Sequence, residues 1–133
     1  MTVKVDHSFN ASADQLWDIL GKPDRVDWVP GVNHCVLEGD VRSLNLPGAG
    51  DIKERILLLS DERRIIEYSC FEAPGTLQSH HASMEVRPTA SGCRLLWRAE
   101  VTPVELEDFI RTSMEACLVQ LKQLLAPQLT HGN

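Results

Sequence analysis

Two adjacent histidines, His80 and His81, interrupt the stretch LQSHHASMEV, and Arg42, Glu54 and Cys70 lie on the segments before it. Residues of these types support three chemistries: imidazoles with carboxylates or thiolates bind metal, an imidazole and a carboxylate pass a proton at a bound carbonyl compound, and a thiolate beside an imidazole attacks an electrophile. Spacing decides among them. Side chains alternate between the two faces of a strand, and here Ala82, Met84 and Val86 form the apolar set. His80 is therefore expected on the inner face and His81 on the solvent side, so the pair cannot share one metal ion.

The same parity places Ile52, Glu54, Ile56 and Leu58 inside, followed by Ile66, Tyr68 and Cys70, and then Cys93, Leu95, Trp97, Ala99 and Val101. Leu44 and Leu46 favour Arg42 as their inward companion. If Pro47-Gly48-Ala49 closes a three-residue hairpin, Arg42 faces Glu54. Similar loops set Glu54 opposite Cys70 or Tyr68, and Cys70 opposite His80, giving a polar row on one wall. An ionised carboxylate on that wall costs several kcal/mol unless it is paired. Two readings stay open: Arg42 and Glu54 form a structural ion pair, or the row serves a bound molecule, with His80 and Glu54 as acid and base. Cys70 lacks an oxyanion site and reads as a small apolar filler.

Positioning that row takes strands and one long helix. Val3, Val5, His7 and Phe9 alternate with polar residues as a first strand. Ser12 and Gln15 then form a capping box for a short helix through Leu20, and Pro23 opens a second short helix over Asp24 to Trp28. From Val32 to Thr102, turn residues separate six strands of an antiparallel meander. Thr102-Pro103-Val104-Glu105 reads as a capping box for a final helix, with Phe109, Ile110, Ser113, Cys117 and Leu121 on its apolar stripe. At about 22 residues it is roughly 33 Å long, enough to cross a sheet. Pro127 ends it, leaving one domain over residues 1–127 and a disordered tail expected over 128–133.

Composition narrows the partners. The 133 residues carry 43% hydrophobic and 24% charged side chains, ordinary for one globular domain. The net charge of -6 comes with scattered basic residues, which argues against nucleic acid. No run is long and apolar enough for a membrane span, and the start lacks a signal-peptide core, so a cytoplasmic location is expected. Cys35, Cys70, Cys93 and Cys117 are widely spaced with no Cys-x-x-Cys pair, so reduced thiols are expected. Without a glycine-rich phosphate loop or spaced metal ligands, neither cofactor nor metal is expected.

The stretches ASADQLWDIL, VDWVPGV and RLLWRAEVTP, taken with this order of elements, resemble the SRPBCC superfamily of START and birch-pollen-allergen-like proteins, in its polyketide cyclase/dehydrase branch. The resemblance spans nearly the whole chain. It implies an α+β helix-grip fold: a seven-stranded curved antiparallel sheet wrapped around the C-terminal helix, an elongated cavity between them, and a mouth near the two short helices. With so short a chain and such tight turns, a small cavity for a compact ligand is expected. The leading expectation is binding of a small hydrophobic or aromatic molecule among Tyr68, Met84, Trp97 and Phe109, with Arg42, Glu54 and His80 reading its polar end. Ser113 is the one hydroxyl on the helix stripe, and Trp28 either gates the mouth or anchors the chain to the sheet edge. The alternative is a polyketide-type cyclase, aromatase or dehydratase using His80 and Glu54 for proton transfer. A protein-interaction module or homodimer contact through Leu57, Leu59 and Leu96 on the outer face is the third reading.

Overall fold

Alternating apolar and polar residues make strands, and tight glycine turns keep consecutive strands adjacent; the result is a sheet in which sequence neighbours pair. The computed structural model describes residues 2–126; the expected domain end at 127 and the tail over 128–133 lie outside them. β1 (Thr2–Phe9) leads into α1 (Ala13–Leu20), followed by β2 (Cys35–Glu38), β3 (Val41–Leu46), β4 (Gly50–Ser60), β5 (Ile65–Glu72), β6 (Ser79–Thr89) and β7 (Gly92–Thr102). A 3-10 turn (Val104–Leu106) then runs into α2 (Glu107–Leu125). The seven strands form one antiparallel sheet in the order β1-β7-β6-β5-β4-β3-β2, curved around α2 in the expected helix-grip layout.

α1 starts where the sequence places it. Ser12 Oγ accepts from the Gln15 amide at 3.1 Å, and Gln15 Oε1 accepts from the Ser12 amide at 2.9 Å, satisfying two amides that the first helical turn leaves without partners. Leu16, Trp17, Ile19 and Leu20 form its buried face. The Asp24 to Trp28 segment is looser than a regular helix: it forms two single turns, closed by Arg25 N–H to Lys22 O and Val29 N–H to Val26 O. β-Branched Val26 disfavours continuation, and Pro30 has no amide to extend the second turn.

The final helix begins differently from the expected capping box. Thr102 is the last residue of β7, its hydroxyl bonds to Ser79, and no side chain caps the 3-10 turn. A cross-strand hydroxyl competes here with the helix end for the same oxygen. α2 nevertheless buries Met114, Cys117 and Leu121 against the concave face, while Leu124 is exposed. The core above β6 and β7 contains Leu16, Leu20, Met84, Val86, Cys93 and Leu95, all nearly inaccessible to water.

Candidate ligand-binding site

Parity holds along the concave wall. Ile52, Ile66, Tyr68, Cys70, Ala82, Trp97 and Ala99 are buried there, while His81 is exposed on the other face with its Nε2 3.3 Å from Glu67 Oε1. β3 and β4 pair with Arg42 opposite Glu54, and β4 and β5 with Glu54 opposite Cys70. Register shifts between Lys53 and Glu54 and, at a bulge, around Leu57 interrupt the β4–β5 pairing; the second sets Leu58, expected inside, opposite Glu67, so simple parity fails along β4 beyond Ile56.

Arg42 is the buried centre of the row. Its Nε donates to Glu54 Oε1 at 2.8 Å, its Nη1 donates to the Pro23 carbonyl at 2.9 Å, and its guanidinium lies 4.7 Å from the centre of the Tyr68 ring. The ion pair is nearly closed to solvent, with side-chain exposures of 8% for Arg42 and 13% for Glu54. The Tyr68 hydroxyl accepts from the Trp97 indole N–H at 3.1 Å, and burial pushes its phenol far above the usual range.

His80 meets Cys70 through its ring. Strand pairing between β5 and β6 runs from Ile65 to Tyr68, where Tyr68 faces Ala82, and then stops. Beyond it the Cys70 amide donates to His80 Nδ1 at 2.9 Å, and the Ser69 hydroxyl donates to the His80 carbonyl. Burial lowers the His80 pKa from its ordinary value, opposed in part by the charge of Glu54. The Cys70 thiol is pushed up to about 11, chiefly by burial, so it is held as a thiol and not as a nucleophile.

Two cavities meet at this row. An inner one of about 100 Å³ lies under α2 and reaches Trp28, Arg42, Tyr68, Trp97 and Ser113. An outer one of about 380 Å³ lies between the β3–β4 turn, the β5–β6 loop and the start of α2. Leu46, Ile52, Glu54, His80 and Ile110 line both. Seven of the nine expected ligand-binding residues, namely Trp28, Arg42, Glu54, Tyr68, His80, Trp97 and Ser113, thus border the inner cavity, and Phe109 borders the outer.

Two expectations need revision. Met84 lines neither cavity; it is 1% exposed and faces Trp97 across β6 and β7, because α1 covers that end of the sheet. Of the two readings of Trp28, the gate gives way to the anchor: it is buried, its ring 5.6 Å from that of Trp97 in the sheet and its N–H on the Arg25 carbonyl at 3.0 Å. The exposed border is at Gly48, Pro74, Gly75 and Thr76 instead. Phe109 closes one side of it, so near Gly48 that a Cβ there would fall 2.7 Å from its ring. Leu46, Leu77 and Ile110 were not among the expected ligand-binding residues; parity already turned Leu46 inward and the helix stripe carried Ile110, whereas Leu77 had only an apolar residue beside turn chemistry as its signal.

Among the described residues no cluster of three or more His, Cys, Asp and Glu side chains is placed to hold a metal, and no helix is long and apolar enough to cross a membrane. The chain is similar in fold to solved structures of the protein XoxI from Bacillus cereus (24% identity, 94% of each chain, TM-score 0.81) and of a putative uncharacterized protein from Bacillus thuringiensis (24% identity, 94% of this chain and 98% of that one, TM-score 0.84). A Thermobifida fusca protein aligns over 98% of this chain and 99% of its own at 21% identity, with a TM-score of 0.74. No curated protein matches the chain. The family model described as polyketide cyclase / dehydrase and lipid transport matches residues 1–126, nearly the whole chain, which therefore belongs to that SRPBCC-type family.

Proposed function

We propose that the protein binds a small hydrophobic molecule carrying one or two polar groups, with its apolar body in the outer cavity and its polar tip at Glu54 and His80. The observation that carries this reading is the junction of the two cavities at those side chains, inside walls of Leu46, Ile52 and Ile110. At about 380 Å³ the outer cavity falls in the range of small-molecule sites, while the inner one is smaller than the roughly 150 Å³ that holds a benzene. A ligand of two fused rings suits that division better than a two-chain lipid.

Proton transfer by His80 and Glu54 is the less favoured use of the same site. The Nδ1 lone pair of His80 already accepts from the Cys70 amide, so the neutral ring carries its proton on Nε2 and has no free lone pair for a base. Glu54 is bound by Arg42 on one oxygen. Leu57, Leu59 and Phe71 are 50%, 43% and 49% exposed, while Leu96 is half-buried, and a homodimer contact through the exposed three is tested by light scattering at increasing concentration. A mass of one chain throughout removes that contact.

Nile red, a neutral dye that brightens in apolar surroundings, tests the binding reading. Saturable uptake of about one dye per chain is expected, lost in Ile110→Trp, which fills the junction. Absent or non-saturable uptake, or full uptake by the filled variant, contradicts it.

A further inference from the structure

We infer that the polar floor of the cavity recognises an uncharged hydrogen-bond acceptor on the ligand, a ketone- or ester-type carbonyl oxygen, through the Nε2–H of His80 and the hydroxyl of Tyr68. This rests on the binding reading above and adds which chemistry the site selects.

The Cys70 amide, fixed in β5, donates to Nδ1 at 2.9 Å, and an amide proton can point only at a lone pair. The ring proton of neutral His80 is thereby placed on Nε2, the nitrogen farther from the β6 backbone. Among the described residues no side chain or backbone acceptor pairs with that N–H, and the ring borders both cavities. A donor left beside a cavity is matched by an acceptor that enters it.

Tyr68 supplies the second donor. Its oxygen accepts from Trp97, so its own proton is left to give, and its ring centre lies 5.8 Å from that of His80. Charge excludes the anionic version of the ligand. Glu54 and Arg42 offset one another, Arg42 Nη1 goes to the Pro23 carbonyl, and Arg25, the other cation on the inner wall, is held by both oxygens of Asp27, so each cation at the cavity already has an acidic partner. A ligand carboxylate there would lose its hydration and lie beside the like charge of Glu54.

Three probes on one frame test this: acetylnaphthalene, ethylnaphthalene and naphthoate, each titrated by calorimetry against wild type and His80→Phe. The ketone is expected to bind wild type roughly five- to tenfold more tightly than the hydrocarbon, and the naphthoate more weakly than the ketone, the ratio that one or two net hydrogen bonds give. In His80→Phe the ketone preference should fall to about twofold or less. Ring nitrogen spectra of wild type give a readout that needs no variant: His80 should be the Nε2–H tautomer, with Nε2 shifting on ketone binding and Nδ1 not. A ketone no better than the hydrocarbon, a naphthoate that binds tightest, or a proton found on Nδ1 overturns the acceptor assignment while leaving binding itself intact. If none of the three is taken up, binding is refuted and the assignment falls with it.

Discussion

Replacing Arg42 by Met keeps an apolar stem but removes the guanidinium that lies over Tyr68, leaving the Glu54 carboxylate nearly closed to solvent without its partner. With charge centres about 4 Å apart and an effective dielectric of about 20, the attraction lost is about 4 kcal/mol. The charge-assisted bond to the Pro23 carbonyl, which ties the first turn after α1 to β3, is lost as well. Breaking one side of a buried pair costs about 3–5 kcal/mol, whereas replacing both sides with apolar groups of similar size is close to neutral. For a chain of this size the single variant should melt about 10–20 °C lower. Arg42→Met combined with Glu54→Leu should recover most of that. The assay is urea unfolding at pH 7 of wild type, both single variants and the double variant. A loss under about 1 kcal/mol for Arg42→Met, or a double variant no more stable than the single, refutes the claim that the pair is buried and mutually dependent.

Other predictions address the helix cap, the mouth and the pH response. Ser12→Ala removes the hydroxyl that receives the Gln15 amide and should cost about 1 kcal/mol in urea unfolding, with Ser12→Gly costing less. Gly48→Ala places a Cβ against Phe109 at a φ of +87°, so it should cost about 1–2 kcal/mol and weaken dye uptake, with Phe109→Ala in the same chain restoring uptake. Because burial lowers the His80 pKa, the unfolded chain takes up that proton below pH about 6.5 while the folded chain resists it. The contribution to stability is therefore fully present above about pH 6.5 and lost progressively as pH falls from there to the lower folded pKa, by at most about 1.4 kcal/mol per pH unit. His80→Phe should show a flatter slope between about pH 7 and 5.5, measured by urea midpoints, and an unchanged slope contradicts the burial of a neutral imidazole.

Much of the concave wall was legible because two local rules act together there. Period-two alternation assigns Glu54, Tyr68, His80 and Trp97 to one face, and the short Pro47-Gly48-Ala49 loop pins β3 to β4 so that Arg42 meets Glu54. What could not be read depends on contacts between distant parts of the chain. The bulge at Leu57 carries no turn residue to announce it, yet it ends the simple register. The histidine ring that takes the Cys70 amide replaces a backbone acceptor, an exchange that composition does not signal. Trp28 sits beside Pro30 and Gly31 in sequence, as a residue at a rim would, but packing against Trp97 draws it inside. The mouth is made by loops, and where a loop lies is decided by the elements it joins, here by Phe109 against Gly48.

The most direct test of the binding account is an amide proton–nitrogen correlation spectrum of labelled protein titrated with acetylnaphthalene. The account predicts saturable shifts at Ile52, Glu54, Cys70, His80 and Ile110, which surround the cavity junction, with the amides of Lys4, Arg98 and Glu100 on the outer face unmoved. Shifts concentrated on that outer face, or a spectrum unchanged at saturating ligand, would contradict it.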